Sequence, residues 1–162
     1  MKNELVMKQF LIARNRLVST LEKLTPEEAS RKPEGFNNTI HWHAGHILLI
    51  AEKFLFMAPT GSNQVPDHYD TFFANGTKPG DWTDTPPSLA EIIDRLKDQE
   101  NRFKACEANQ IDAALPKPFT LGSGLVMETA GELMNMAIYH EGIHTGYINA
   151  MKRIVSQQTT QA

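Results

Sequence analysis

"TAGELMNMAIYHEGIHTGYINAMKRIV", residues 129–155, decides the architecture of this chain. Thr129 with Glu132 three residues on is a capping box, which opens a helix. Apolar residues then recur at helical period to about Val155. At about 100° per residue, Leu133, Met136, Ala137, His140, Ile143, His144, Tyr147, Met151 and Ile154 share one face, expected to be the buried one. His140 and His144 then point into a helical core, one turn apart, where both can reach one metal ion. A single histidine on an apolar face is usually satisfied by one hydrogen bond. Two buried imidazoles without acceptors are costly, and a shared cation removes that cost.

His140-Glu141-x-x-His144 is also the zinc-peptidase spacing. That chemistry takes a third ligand from further along the chain. Residues 145–162 read "TGYINAMKRIVSQQTTQA", with no His, Glu, Asp or Cys. Any further protein ligand comes from upstream, and the zinc peptidase or hydrolase is the least supported reading. The upstream histidines are His41, His43, His46 and His68. His68 falls in a long connection, and His41 points away from the stripe of Ile47 and Ile50. His43 and His46 lie at the edge of that stripe, and either could face the pair. One histidine from a facing helix would complete three protein ligands, the number in catalytic zinc sites. Metal binding is then expected to weaken as pH falls through about 6.5, where free imidazole takes a proton.

Three more helical patterns surround this one. The first spans about residues 2–24, where Leu5, Phe10, Ile12, Ala13, Leu17, Leu21 and Leu24 recur at a helical period. Thr25-Pro26-Glu27-Glu28 starts a short turn. The second helix begins near Asn38 or Thr39 and runs to about Met57, with Pro59 and Gly61 as its end. The third begins at Ser88 with a capping box to Glu91. Between helices two and three lies "APTGSNQVPDHYDTFFANGTKPGDWTDTPPS", residues 58–88, long enough to return the chain and set those helices parallel. Short extended pieces are expected at "KPFTL" and "LVM" within 112–127. The expectation is an all-α four-helix bundle with one long crossover over residues 1–156, and a disordered tail over 157–162.

The 162 residues are 41% apolar and 22% charged, with net charge −3 and one cysteine, Cys106. No basic block supports nucleic-acid binding, and one cysteine makes no intrachain disulfide or Cys-rich zinc site. No segment reads as a signal peptide or membrane span, so a cytoplasmic protein is expected. Glu141 is expected in a salt bridge or on the surface at the bundle edge. Holding a ligand imidazole is the functional alternative. Trp42 and Tyr147 are expected as core or interface aromatics. Gly142, Gly146 and Ala150 form a second stripe that predicts close approach of another helix, in this chain or a second subunit.

"HWHAGHI" at 41–47, followed by "HEGIHTGYI" at 140–148, resembles the DinB/YfiT-like superfamily of metal-binding four-helix bundles. "FFANGTKPGDWTDTPPSLAEIIDRL" at 72–96 is similar to the crossover and third helix of many members. The resemblance spans nearly the whole chain. It implies up-down-down-up helix order and frequent homodimers. It places the metal ligands on His46, His140 and His144, with zinc or nickel as the ion. Members include transferases and isomerases that use low-molecular-weight thiols. The function it implies is a divalent-metal-dependent, thiol-dependent S-transferase or related small-molecule transferase. The alternative is a non-enzymatic metal-binding stress-response bundle. No catalytic residue beyond the ligands is assigned.

Overall fold

A computed structural model describes residues 2–160. Helix α1 spans Lys2–Leu21, and a turn leads to the short α2, Pro26–Ser30. α1 stops before Leu24 because Thr25 must be extended (φ −76°, ψ 158°) to cap α2. Its hydroxyl accepts the Glu28 N–H, and the Glu28 carboxylate accepts the Thr25 N–H, closing a capping box. Helix α3, Ile40–Glu52, is capped by Thr39, whose hydroxyl accepts the Trp42 N–H at 3.1 Å.

α3 does not continue evenly to Met57. Residues Lys53–Met57 form a π-helical turn, followed by α4, Ala58–Thr60, and Gly61 in the left-handed region. Pro59 lies in the first turn of α4, where proline is tolerated. The crossover holds α5, Tyr69–Phe73, and a 3₁₀ turn, Pro79–Asp81. Helix α6, Leu89–Lys104, opens on Ser88 as expected. A second 3₁₀ turn, Ala108–Asp112, leads into an antiparallel hairpin of β1, Ala114–Thr120, and β2, Val126–Thr129, pairing Phe119 with Met127. These strands take in the two extended pieces anticipated except for Leu121 and Leu125, which lie in the turn between them.

Helix α7, Ala130–Thr160, runs beyond its expected end near Val155, since 156–160 contain no glycine or proline to stop it. Of the expected tail over 157–162, residues 157–160 continue this helix, and 161–162 lie outside the described residues.

Side-chain contacts fix the helix directions. Phe10 packs on Phe103 and Glu22 pairs with Lys97, so α1 and α6 are antiparallel. His46 meets His140 and His43 meets His144, so α3 and α7 are antiparallel. Leu48 and Glu52 both meet Gln99, and Glu52 also meets Arg102, so α3 and α6 run parallel. The order is up-down-down-up, with the crossover making the parallel step.

Two apolar cores result. One surrounds Leu17, Ile40, Ile47, Phe73, Ile92 and Met151, beneath the histidines. The other gathers Phe10, Phe54, Phe56, Phe103, Met127 and Leu133 at the hairpin end. No helix among the described residues is long and apolar enough to cross a membrane.

Candidate metal centre

The α7 seam differs from the expected wheel. Met134, Ala137, Glu141, Ile148, Met151 and Val155 are buried, whereas Ile143 and Tyr147 are 40% and 50% exposed. Leu133 is buried beside Met134, and from Met134 the buried positions step by three, four, seven, three and four residues, with Glu141 in mid-seam and His140 and His144 on its flank. The reason is Arg14. This fully buried residue of α1 donates Nε–H to Glu141 Oε1 at 3.0 Å and Nη2–H to Oε2 at 2.9 Å. Its Nη1 donates to the Leu96 carbonyl of α6 at 3.0 Å. The fork ties three helices together and turns Glu141 inward. Glu141 therefore forms the expected salt bridge in the core, not at the bundle edge.

Turning Glu141 inward leaves the histidines facing α3. The ligand nitrogens of His46, His140 and His144 all lie within 4.8 Å of one another. His46 Nδ1 donates to the Phe73 carbonyl at 2.6 Å. A carbonyl only accepts, so the His46 proton is on Nδ1 and Nε2 carries the lone pair. That lone pair faces His140 Nε2 at 3.1 Å. Either a proton or a cation must lie between the two. For metal–nitrogen bonds of about 2.0–2.1 Å, two nitrogens on one ion sit about 2.8–3.4 Å apart, and the observed spacing falls within that range. The donor set fits a divalent transition metal, because neutral imidazoles suit zinc, nickel, copper or iron(II).

Aromatic rings hold the imidazoles in place. Trp42 stacks on His46 with centroids 4.6 Å apart and planes at 12°. Tyr147 stacks on His43 at 5.5 Å and 10°. Burial, followed by the neighbouring imidazole His46, pushes His43 and His140 down to about 4. Burial, then His140, His46 and His43, takes His144 down to about 3. Burial also lowers His46, against the contact with Phe73. The rings are thus neutral, as metal ligands must be.

His41 lies apart from the cluster and donates from Nε2 to the Pro87 carbonyl at 2.7 Å. His68 is exposed in the crossover. His43 joins the cluster differently, with Nδ1 2.7 Å from His144 Nδ1.

Two contributors escaped the sequence reading. The Phe73 carbonyl comes from α5, inside the crossover. Gly45 admits it: a Cβ there would stand 2.4 Å from the Phe73 ring. A glycine within a helical pattern next to a histidine was the available signal. The Gly142/Gly146 stripe meets no other helix among the described residues, since a Cβ at either position would have no atom within 4 Å.

An all-helical bundle whose inner face carries one histidine from its second long helix and two from its last defines a class. The family model of the DinB superfamily matches residues 9–148, and the chain belongs to that superfamily. A solved structure described as the conserved protein of locus from Enterococcus faecalis is similar to it, with a TM-score of 0.64 and 18% identity. The likeness covers 95% of this chain and 96% of that one, and at this identity it speaks for the fold alone. No curated protein matches the chain in sequence.

Proposed function

We propose that this protein is a divalent-metal-dependent enzyme that transfers a low-molecular-weight thiol to an electrophilic small molecule. His46, His140 and His144 hold the ion, zinc or nickel, and the protein works in the cytoplasm as a homodimer. The observation that carries this reading is the His46 Nε2 lone pair, fixed by the Phe73 carbonyl and aimed at His140 Nε2. An ion bound there would lower the pKa of a thiol or water beside it and so supply a nucleophile near neutral pH.

The chain's own residues prepare the site. Phe73 and Trp42 fix the His46 ring, and burial keeps the imidazoles neutral. His140 and His144 are half-buried next to exposed Ile143 and Tyr147, which gives a small molecule its approach from the α7 side. Glu141 takes no part as a base, because Arg14 holds both its oxygens. That removes the feature that made the motif look proteolytic.

The same observation favours a second reading, a binding bundle without catalysis, because the motif offers no free carboxylate. Elemental analysis of untagged protein tests the metal. His46→Ala, His140→Ala and His144→Ala should each lose most of it, while His41→Ala and His68→Ala keep it. Full metal content in His46→Ala would overturn the site. Turnover of a chromogenic electrophile with several cellular thiols then separates the enzyme from the binding bundle.

A further inference from the structure

We propose that His43 is a positioning residue for the metal site, accepting the Nδ1–H of His144 on its own Nδ1 and so directing His144 Nε2 at the ion. This rests on the metal reading above. The two Nδ1 atoms are 2.7 Å apart, so exactly one bears a proton. A proton on His43 Nδ1 would leave the His144 proton on Nε2, and His144 could not ligate through that atom. A proton on His144 Nδ1 frees Nε2. The spacing is a hydrogen-bond length, below the range of about 2.8–3.4 Å for two nitrogens on one ion. His43 is therefore the partner of a ligand, not a fourth ligand through Nδ1.

The surroundings support this assignment. His43 is 7% exposed, and Tyr147 lies flat against its ring, which fixes the plane from which Nδ1 meets His144. Each α3 histidine of the cluster then has its own task. His46 would ligate and is held by a carbonyl, whereas His43 holds His144. Partners of this kind fix the tautomer of a ligating imidazole, and their loss typically weakens metal binding by about 10–100-fold.

The test is zinc affinity by competition with a chromophoric chelator, using wild type, His43→Leu and His43→Asn. Wild type should bind one ion and His140→Ala should not; failure here sinks the metal reading itself. With that established, His43→Leu should bind about 10–100-fold more weakly. His43→Asn, whose side-chain oxygen can accept in place of Nδ1, should stay within about fivefold of wild type. Nitrogen-15 NMR of the zinc-loaded wild type should show His144 protonated at Nδ1 and His43 not coordinated, which covers a variant that fails to fold. Affinity of His43→Leu within about threefold of wild type, or coordination by His43, would overturn the proposal.

Discussion

Two arginines are forked by carboxylates inside this bundle, and they do different work. Arg14 and Glu141 are 0% and 1% exposed and join α1, α6 and α7 at mid-height. Arg102 and Glu52 join α6 to the end of α3, and Arg102 is 18% exposed. Arg102 also reaches Asp98 and lies over the Phe56 ring, while Glu52 further accepts the Gln64 N–H of the crossover. The first fork has no route to water, so each partner depends on the other. The second has alternatives. A sealed fork sets the rotation of α7, and with it the direction of the histidines. A half-open one only anchors the crossover.

The largest expected effect separates the two. Glu141→Leu strands a buried guanidinium and should cost about 3–5 kcal/mol. Glu52→Leu should cost about 1.5–3 kcal/mol, since Arg102 keeps Asp98 and solvent. Urea unfolding of both variants measures the difference, and equal losses would erase the distinction.

Acid should sharpen the comparison. His43, His140 and His144 have folded pKa values of about 4, 4 and 3, against about 6.5 unfolded. Between those values the unfolded chain binds more protons, so stability is full above about pH 6.5 and is lost as pH falls toward 4 and then 3. Burial pushes the Glu52 carboxyl up, but hydrogen bonds from Arg102, Gln99 and the Gln64 N–H outweigh it and hold the group below the usual range. Its contribution is therefore present above the unfolded carboxylate value and is lost only as pH falls through the lower folded one. Unfolding of metal-free protein from pH 8 to 5 should show a decline beginning near 6.5, from the histidine end. A flat profile would mean that the rings are not held neutral. Proton competition for a bound ion should likewise begin nearer pH 4 than at the free-imidazole value expected from sequence.

The smallest effect is expected on the α7 face that neither fork touches. A Cβ at Gly146 stands in open space, so Gly146→Leu should stabilise the helix by up to about 1 kcal/mol. On the homodimer reading it should also turn a dimer into a monomer in sedimentation at micromolar concentration. A monomeric wild type would remove the dimer from the proposed function.

The helix starts at Thr25, Thr39, Ser88 and Thr129 were legible because capping is local chemistry. His140 and His144 were legible from their spacing, and the lack of downstream ligands pointed to an upstream histidine; the resemblance to the superfamily, not spacing, singled out His46 over His43. The exact buried face of α7 was not. Glu141 counts as polar on any wheel, and its partner lies 127 residues away in sequence. Leaving it out moved the inferred face toward Ile143 and Tyr147. The Phe73 carbonyl was hidden for a related reason: backbone groups in a loop carry no residue-type signal, and only Gly45 hinted at the approach.

The π-helical turn at Lys53–Met57 has a consequence for inheritance. Such a turn adds one residue to a helix and shifts the phase of everything after it by about 100°. Phe54, Leu55 and Phe56, three neighbours in sequence, are all buried here, more than one face of a regular helix would provide. The break falls after the histidines and inside the hairpin-end core, to which it contributes Phe54, Leu55 and Phe56, so the second long helix reads in two frames. Insertions, deletions and altered apolar residues downstream of Glu52 can accumulate under one set of constraints. The stretch from Thr39 to Ala51 answers to another.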